Sequence, residues 1–474
     1  MNIPVSGKSW ACSFWAHFFP GLVIGFCIIL LAGTLANALA SAGETDLDLL
    51  LEEFETQDTV AGIETPVSAP SETPEWIDIY GSLSASSVIR TDPGSRDRLA
   101  ELEAELTLKA RVDPGWDWHF FTDTLASHDL APALGDHFED PYRSSVEREL
   151  EVREMWIRKS LTPWLDLKLG RQIVAWGSSE VFRLVDVVNP TDQREFAMTD
   201  IEDIRLGQTM TRMDMYTGPW NLTLLMVHGD RTPRTPEQGS DFYLWDAPLP
   251  DLVDTDTGLD RPGFAGALTG RFTGWDAGLY LARVNDDTPY TFQDNQGIDR
   301  LKYPKINMAG LTLAKTFGNI LLKSEMAFLD GLKFSQAPER EFQGLDVLAG
   351  IEYSGFTDTT ITLEMVNQHI FSLDADVANA LERMKKNHVE SALRLTRDFK
   401  NDTIHLTVVA GFMGATGQLG TFQRAEIEVD WSDTVYLKFG GILYHNGDSN
   451  LFEKIQDNDR IFFSICKDFS LSGM

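Results

Sequence analysis

Glu101, Glu103 and Glu105 stand at alternate positions, and Lys109 and Arg111 continue in the same phase. A spacing of two puts side chains on one face of a strand, so these five residues make a row of mixed charge. The theme returns at Lys168, Gln172, Lys323, Glu325, Glu364, Arg394 and Lys438, each set in an alternating segment. Side chains of this kind hold water, sort ions and pair with one another; they make no bonds. Two readings of the face stay open. It borders an aqueous passage, or its charges pair across an interior and stiffen it.

Bond-making chemistry has weaker candidates. Asp251, Asp254, Asp256 and Asp260, in "DLVDTDTGLD", offer hard oxygens suited to Ca²⁺, against the plainer reading of a solvated acidic loop. "GFAGALTG" (Gly263 to Gly270) and "GATGQLG" (Gly414 to Gly420) lack the strand-then-helix setting that a phosphate-binding glycine loop requires. The nine histidines are scattered, with no zinc-ligand spacing. No Gly-x-Ser-x-Gly elbow is present, and no nucleophile–base pair stands out. The expectation is a protein that is not an enzyme and needs no cofactor.

The elements that position the charged face are strands. In "TVYLKFGGIL", Val435, Leu437, Phe439 and Gly441 alternate with Tyr436, Lys438 and Gly440. "TITLEM" (360–365) and "TIHLTVVAGF" (403–412) repeat the pattern. One face is apolar and the other polar, as for strands lying between two different solvents. Short aromatic-flanked connections recur at "DPGWDW" (113–118), "LTPWLDL" (161–167), "TGPWNL" (217–222), "FTGWDAG" (272–278) and "TFGNIL" (316–321). Three more follow at "SGFTDT" (354–359), "DFKNDT" (398–403) and "DWSDT" (430–434). Longer polar loops separate them, such as 230–261 and 285–302.

Short turns alternating with long loops are the asymmetry of a transmembrane barrel, and the Trp and Phe residues suit an interfacial girdle. Eight such turns, with a first strand at 76–91 and a last at 459–469, predict a single antiparallel β-barrel of about 18 strands over 76–469. Closure satisfies every backbone hydrogen bond inside lipid. Two segments strain the pattern. Asp97 to Val112 looks helical by composition, yet its strict alternation predicts a strand, and Val146 to Ser160 loses phase near Glu154–Met155, which predicts a bulge. Arg171 falls in phase with Leu165, Leu167 and Leu169, so it either snorkels at the interface or marks a slip in register.

The N-terminus addresses the chain. Lys8 precedes the apolar run "GLVIGFCIILLAGTLA", and small residues before Ala40 and Ala42 fit signal-peptidase cleavage after either one. Residues 1–40 therefore read as a secretory leader, with an uncleaved anchor as the alternative. Cys12 and Cys27 leave with it, so Cys466 remains alone and no intramolecular disulfide forms. Residues 43–75 hold a short amphipathic helix (45–55, with Leu47, Leu50, Leu51 and Phe54 on one face) and a Pro/Ser/Thr linker. Residues 470–474 are a C-terminal tail. A net charge of −32 excludes nucleic acid, whose phosphates call for clustered Lys and Arg. The expected surroundings are outer-membrane lipid and lipopolysaccharide, with the barrel-assembly machinery as partner during insertion. The 45–55 helix is a candidate contact for a periplasmic partner.

One loop stands apart. "EVFRLVDVVNP" (180–190), within an external connection from Trp176–Gly177 to about Ile204, is too apolar for a solvated loop. Folding it into the barrel as a constriction covers Val181, Phe182, Leu184, Val185, Val187 and Val188, and presents Arg183, Asp186 and Asp192 to a passage. The alternative is an external lid packed on neighbouring loops. Trp176, Gly177, Asn189 and Pro190 complete the candidate constriction.

"LGRQIVAWGSSEVFRLVDVVNPTD" (169–192) resembles the Gly-Arg-Gln…Trp-Gly…Asn-Pro signature of the family known as domain of unknown function 1302, and "DLDLLLEEFE" is similar to the N-terminal element of such proteins. The resemblance implies an outer-membrane barrel of a Gram-negative-type bacterium, acting beside envelope exporters or in traffic of hydrophobic compounds. Such barrels commonly end on an aromatic residue, whereas Phe469 is followed here by "SLSGM". The expected function is a channel passing a solute, hydrophobic or organic, through a charged lumen constricted by the 177–204 loop. The alternative is a non-conducting barrel that docks a periplasmic or export-complex partner.

Overall fold

The computed structural model describes residues 76–92, 98–135, 138, 140–229, 231–253, 261–373 and 387–471. The expected leader, the 45–55 helix and its linker lie outside these residues, as does the tail beyond Leu471.

The described strands begin with β1 (Ile77–Arg90), β2 (Leu99–Gly115), β3 (Trp118–Asp129), β4 (Arg148–Thr162) and β5 (Leu165–Gln172). After a long inturned loop come β6 (Gln208–Thr217), β7 (Trp220–Val227), β8 (Gly263–Phe272) and β9 (Trp275–Asn285). A small hairpin, β10 (Tyr290–Gln293) and β11 (Asp299–Lys302), decorates the next loop. The sheet resumes with β12 (Lys305–Phe317), β13 (Ile320–Leu332), β14 (Phe342–Phe356), β15 (Thr359–Ile370) and β16 (Asn387–Phe399). It ends with β17 (Ile404–Met413), β18 (Gly420–Ser432), β19 (Val435–His445) and β20 (Arg460–Ser470). Among the described residues three short helices sit in loops: α1 (Ala131–Leu134), α2 (Tyr142–Val146) and α3 (Asn450–Ile455). No helix among the described residues is long and apolar enough to cross a membrane.

All but the β10–β11 hairpin form one 18-stranded antiparallel sheet, closed by pairing of β1 with both β2 and β20. Each strand pairs with its neighbours in sequence, an up-and-down meander that leaves no edge for lipid to face. The eight tight turns fall at the eight aromatic-flanked segments. Trp116, Trp164, Trp220, Trp275, Phe317, Phe356 and Trp431 stand exposed around that end. Outward Leu106, Leu108, Leu281 and Leu363 are also exposed, as an apolar band against acyl chains requires.

The two ambiguous segments resolve locally. The segment that looked helical by composition is β2 from Leu99 onward, with Glu101, Glu103 and Glu105 paired to β1 residues that share their inward face. In β4 the register steps at Arg153, where Asp123 faces Glu154 but Thr124 faces Val152. That is the expected bulge. Arg171 keeps its outward phase opposite Met155, and its guanidinium folds back to donate to the Val152 carbonyl at 2.9 Å.

Candidate functional site

The connection between β5 and β6, residues 173–207, enters the barrel. Its roots are held by one side chain. Asn189 Oδ1 accepts the Val174 N–H at 2.8 Å, while Nδ2 donates to the Leu206 carbonyl at 2.8 Å and to the Gln172 carbonyl at 3.2 Å. Asn189 is fully buried, where an amide must find partners for both its ends. The Pro190 carbonyl accepts from Leu206 N at 2.8 Å and Asp192 N donates to the Ile204 carbonyl at 2.7 Å, so the chain returns alongside itself. The connection reaches Gly207, three residues past the expected Ile204.

Apolar contact seats the first half. Leu184, Val185 and Val188 are buried, with Phe182 and Val187 packed beside them, against inward side chains of β6 to β9 and β12 to β15, including Met210, Leu225, Ala282, Met308 and Val366. Each fully buried Val or Leu contributes about 1.5–3 kcal/mol relative to exposure. Gly310 makes the approach possible: a Cβ there would lie 2.6 Å from Val185 Cγ1.

Wall carboxylates hold the loop's turn. Glu325 Oε1 accepts from Ser178 N, from Ser178 Oγ at 3.1 Å and from Ser179 N at 3.1 Å. Glu364 accepts from Ser179 Oγ at 2.5 Å and from Glu180 N at 3.3 Å. Gly177 leads into this turn with φ +88°, and an added Cβ would sit 2.8 Å from Glu325 Oε1. Lys323 Nζ reaches Glu180 at 2.6 Å and Glu352 at 2.9 Å.

The loop's own charges are closed on themselves and on the wall. Asp186, 3% exposed, receives Arg183 Nε at 3.2 Å and Arg205 Nε at 2.7 Å. Arg183 also donates to Asp287 at 2.8 Å and to the carbonyls of Asp186 and Asn189 at 2.6 and 2.8 Å. Further on, Asp192 pairs with Arg194 and Arg234, and both arginines reach Glu149 on β4. Arg231 and Arg234 bind Glu151. Phe196 then lies edge-on to Phe422 of β18 and Phe452 of α3, at 5.6 and 5.7 Å between ring centroids. Asp200 pairs with Arg424 and, at 3.2 Å, with Arg394. The loop thus crosses the lumen from β5 toward β18. The β7–β8 connection joins it, with Asp241 on Arg90 at 2.6 Å and on Arg460 at 2.7 Å.

Between the loop and the β9 to β18 wall lies a cavity of about 840 Å³. Phe182, Phe196, Phe242, Ile306, Leu329 and Val366 supply its apolar surface. Its charged lining is nine carboxylates against four basic side chains. Asp286, in the loop after β9, has its pKa pushed up to about 7, chiefly by desolvation and then by the Asp287 carboxylate.

The residues singled out from sequence divide into five groups. Arg183, Asp186 and Asp192 border the cavity. Trp176, Asn189 and Pro190 are buried structural parts instead, Trp176 packing on Tyr280 at 5.2 Å. Gln172, Lys323, Glu325 and Glu364 face inward but are buried beneath the loop, so they anchor it and do not border open space. Glu101, Glu103, Lys109, Lys168, Arg394 and Lys438 face the lumen from the strands. Glu101 accepts from Ser86 Oγ at 2.7 Å, Lys168 lies over the Trp156 ring at 3.9 Å, and Lys438 meets Glu428 at 3.0 Å. Asp251 is an exposed partner of Arg300 at 2.8 Å, while Asp254, Asp256 and Asp260 lie outside the described residues.

Sequence reading missed Asp286, Asp287, Asp346 and Glu390, all on the cavity. It also missed the apolar inner wall. The signal for the wall was present in strands apolar on both faces, such as "LLMV" at 224–227, since a face hidden under a loop needs no polar residues.

A closed 18-stranded meander with an apolar outer band, an aromatic short-turn rim and an inturned loop defines an outer-membrane β-barrel of the porin type. The chain belongs to the family described as protein of unknown function, DUF1302, whose profile matches residues 97–224 and 249–469. Among solved structures it is similar to Pseudomonas aeruginosa OpdK with vanillate, at 12% identity and a TM-score of 0.50, covering 83% of this chain and 98% of that one. It is similar also to P. aeruginosa OccK2 (OpdF) in complex with glucuronate, at 12% identity and TM-score 0.51, covering 85% and 99%. Acinetobacter baumannii OccAB4 matches at 10% identity and TM-score 0.50, covering 85% and 100%. At these identities the likeness is one of fold. None of the curated proteins compared with the chain matches it.

Proposed function

We propose that this protein is a passive outer-membrane channel for small organic solutes, with the 173–207 loop as its constriction. The observation that carries this reading is the loop itself, folded into the lumen beside a cavity of about 840 Å³ that is partly apolar and partly charged. A filled structural barrel has no use for such a space, whereas a solute path needs room and wetting at its narrowest level. The solutes bound in the similar structures, vanillate in OpdK and glucuronate in OccK2, are small organic molecules. Selectivity then follows from pore width and the lining of the loop, with no bond chemistry. Swelling of vesicles that contain the folded protein, placed in iso-osmotic solutions of organic solutes of increasing size, tests this. Swelling with small solutes and a sharp upper size limit is the expected result, and vesicles that swell no faster than protein-free ones would refute it.

A further inference from the structure

Charge is distributed unevenly around the cavity. On the loop side each carboxylate has a cationic partner: Asp186 with Arg183 and Arg205, Asp200 with Arg394 and Arg424, Glu180 with Lys323. The wall side differs. Asp286 accepts the backbone N–H groups of Thr288 and Asp287, Asp346 on β14 accepts from the Gln368 side chain, and Glu390 on β16 meets the His388 ring at 2.6 Å. No Lys or Arg pairs with these three among the described residues. Lys333 also reaches the cavity, but it lies 3.7 Å from Glu341 and 5.5 Å from the Tyr290 ring centre. Ile306, Leu329, Val366 and Ile370 fill the wall between the three acids.

An enclosed carboxylate without a counter-charge is costly, and a bound cation offsets that cost. A bare metal ion would leave the apolar surface unused, and an anion would meet like charge. We propose that this cavity binds organic cations, a protonated or quaternary amine on a compact apolar body, with the nitrogen against Asp286, Asp346 and Glu390. The body rests on Val366, Leu329 and Ile306. The inference names the solute class for the channel proposed above and rests on that reading for transport, though not for binding.

Equilibrium dialysis of the full-length folded protein against three shape-matched probes tests it: benzyltrimethylammonium, benzenesulfonate and benzyl alcohol. The ammonium is expected to bind at least about tenfold more tightly than the sulfonate, as charge complementarity sets specificity. In the D346N/E390Q double variant the ammonium affinity falls by about tenfold, with benzyl alcohol affinity unchanged. Sulfonate binding equal to or tighter than ammonium binding in the wild-type protein overturns the inference without recourse to any variant. So does a folded double variant with wild-type ammonium affinity, folding being read from heat-modifiable gel mobility. Bilayer currents on the same preparation separate the two proposals. Ammonium binding without current removes the channel and leaves the site, whereas current without ammonium preference removes the site alone.

Discussion

Asn189 accepts the Val174 N–H at 2.8 Å, one residue into the loop that carries both, so a single buried amide closes a connection of more than thirty residues at its root. Its Nδ2 ties the same point to Leu206 and Gln172. An Asn189→Ala substitution leaves a buried N–H and two carbonyls without partners, which costs about 1–3 kcal/mol for each group left unsatisfied. The barrel should persist in heat-modifiable gels while limited proteolysis cleaves within 178–206 at a markedly higher rate. Proteolysis at the wild-type rate would show that the loop is held without this clip.

Asp186 and its two arginines make a second test. Among the described residues, Asp186→Asn weakens the only carboxylate that Arg205 pairs with and one of the two that hold Arg183. Breaking a buried pair from one side typically costs about 3–5 kcal/mol. Hydrogen exchange along 180–190 should accelerate in the variant, and replacing Arg205 with Met in the same chain should restore part of the protection. An unchanged exchange profile in D186N would contradict the arrangement.

Gly177 carries a stricter prediction because two effects meet there. Its φ of +88° disfavours any side chain, and a Cβ would press on Glu325, which holds Ser178 and Ser179. Gly177→Ala should therefore release the loop's turn and raise current noise and conductance in single-channel records. Gly177→Ala with Glu325→Ala removes the clash together with the carboxylate that holds Ser178 and Ser179, so it should not restore the quiet wild-type current. A quiet, wild-type G177A channel would show that the turn does not depend on this glycine.

The Asp286 carboxyl gives a pH dependence of known sign. Its folded-state pKa is pushed up to about 7, above the ordinary carboxylate value, so the folded protein prefers the protonated form. This group's contribution is fully favourable below the ordinary carboxylate pKa of about 3.9 and is lost as pH rises toward about 7. Urea unfolding in vesicles should show wild-type stability declining across that window relative to Asp286→Asn, with a constant difference above it. A difference independent of pH between about 4 and 8 would place the group in an unperturbed environment.

Much of the barrel was legible because its causes are local. Period-two alternation and tight aromatic turns mark strands two solvents share, and the segments at Trp116, Trp164, Trp220 and Trp275 each became a turn. The inturned loop was legible too, since Phe182, Leu184 and Val185 had no place in water. What sequence could not supply was partnership across the lumen. Glu325 and Glu364 read as lining charges, yet 147 and 185 residues separate them from the Ser178 and Ser179 groups they hold. Asp346 and Glu390 lie one strand apart from each other across β15, a proximity only the closed register reveals. Asn189 and Trp176 read as pore residues because their motif is conspicuous, whereas both are buried, Asn189 in hydrogen bonds to the loop's roots and Trp176 against Tyr280.

Single-channel conductance in planar bilayers tests the account most directly, comparing the folded protein with a variant whose Ser178–Asp200 segment is replaced by a short Gly/Ser linker. The loop crosses the lumen, so the wild type should give a small, steady current and the variant a clearly larger one. Equal currents from the two would place the narrowest point elsewhere, and no current from either would contradict the channel itself.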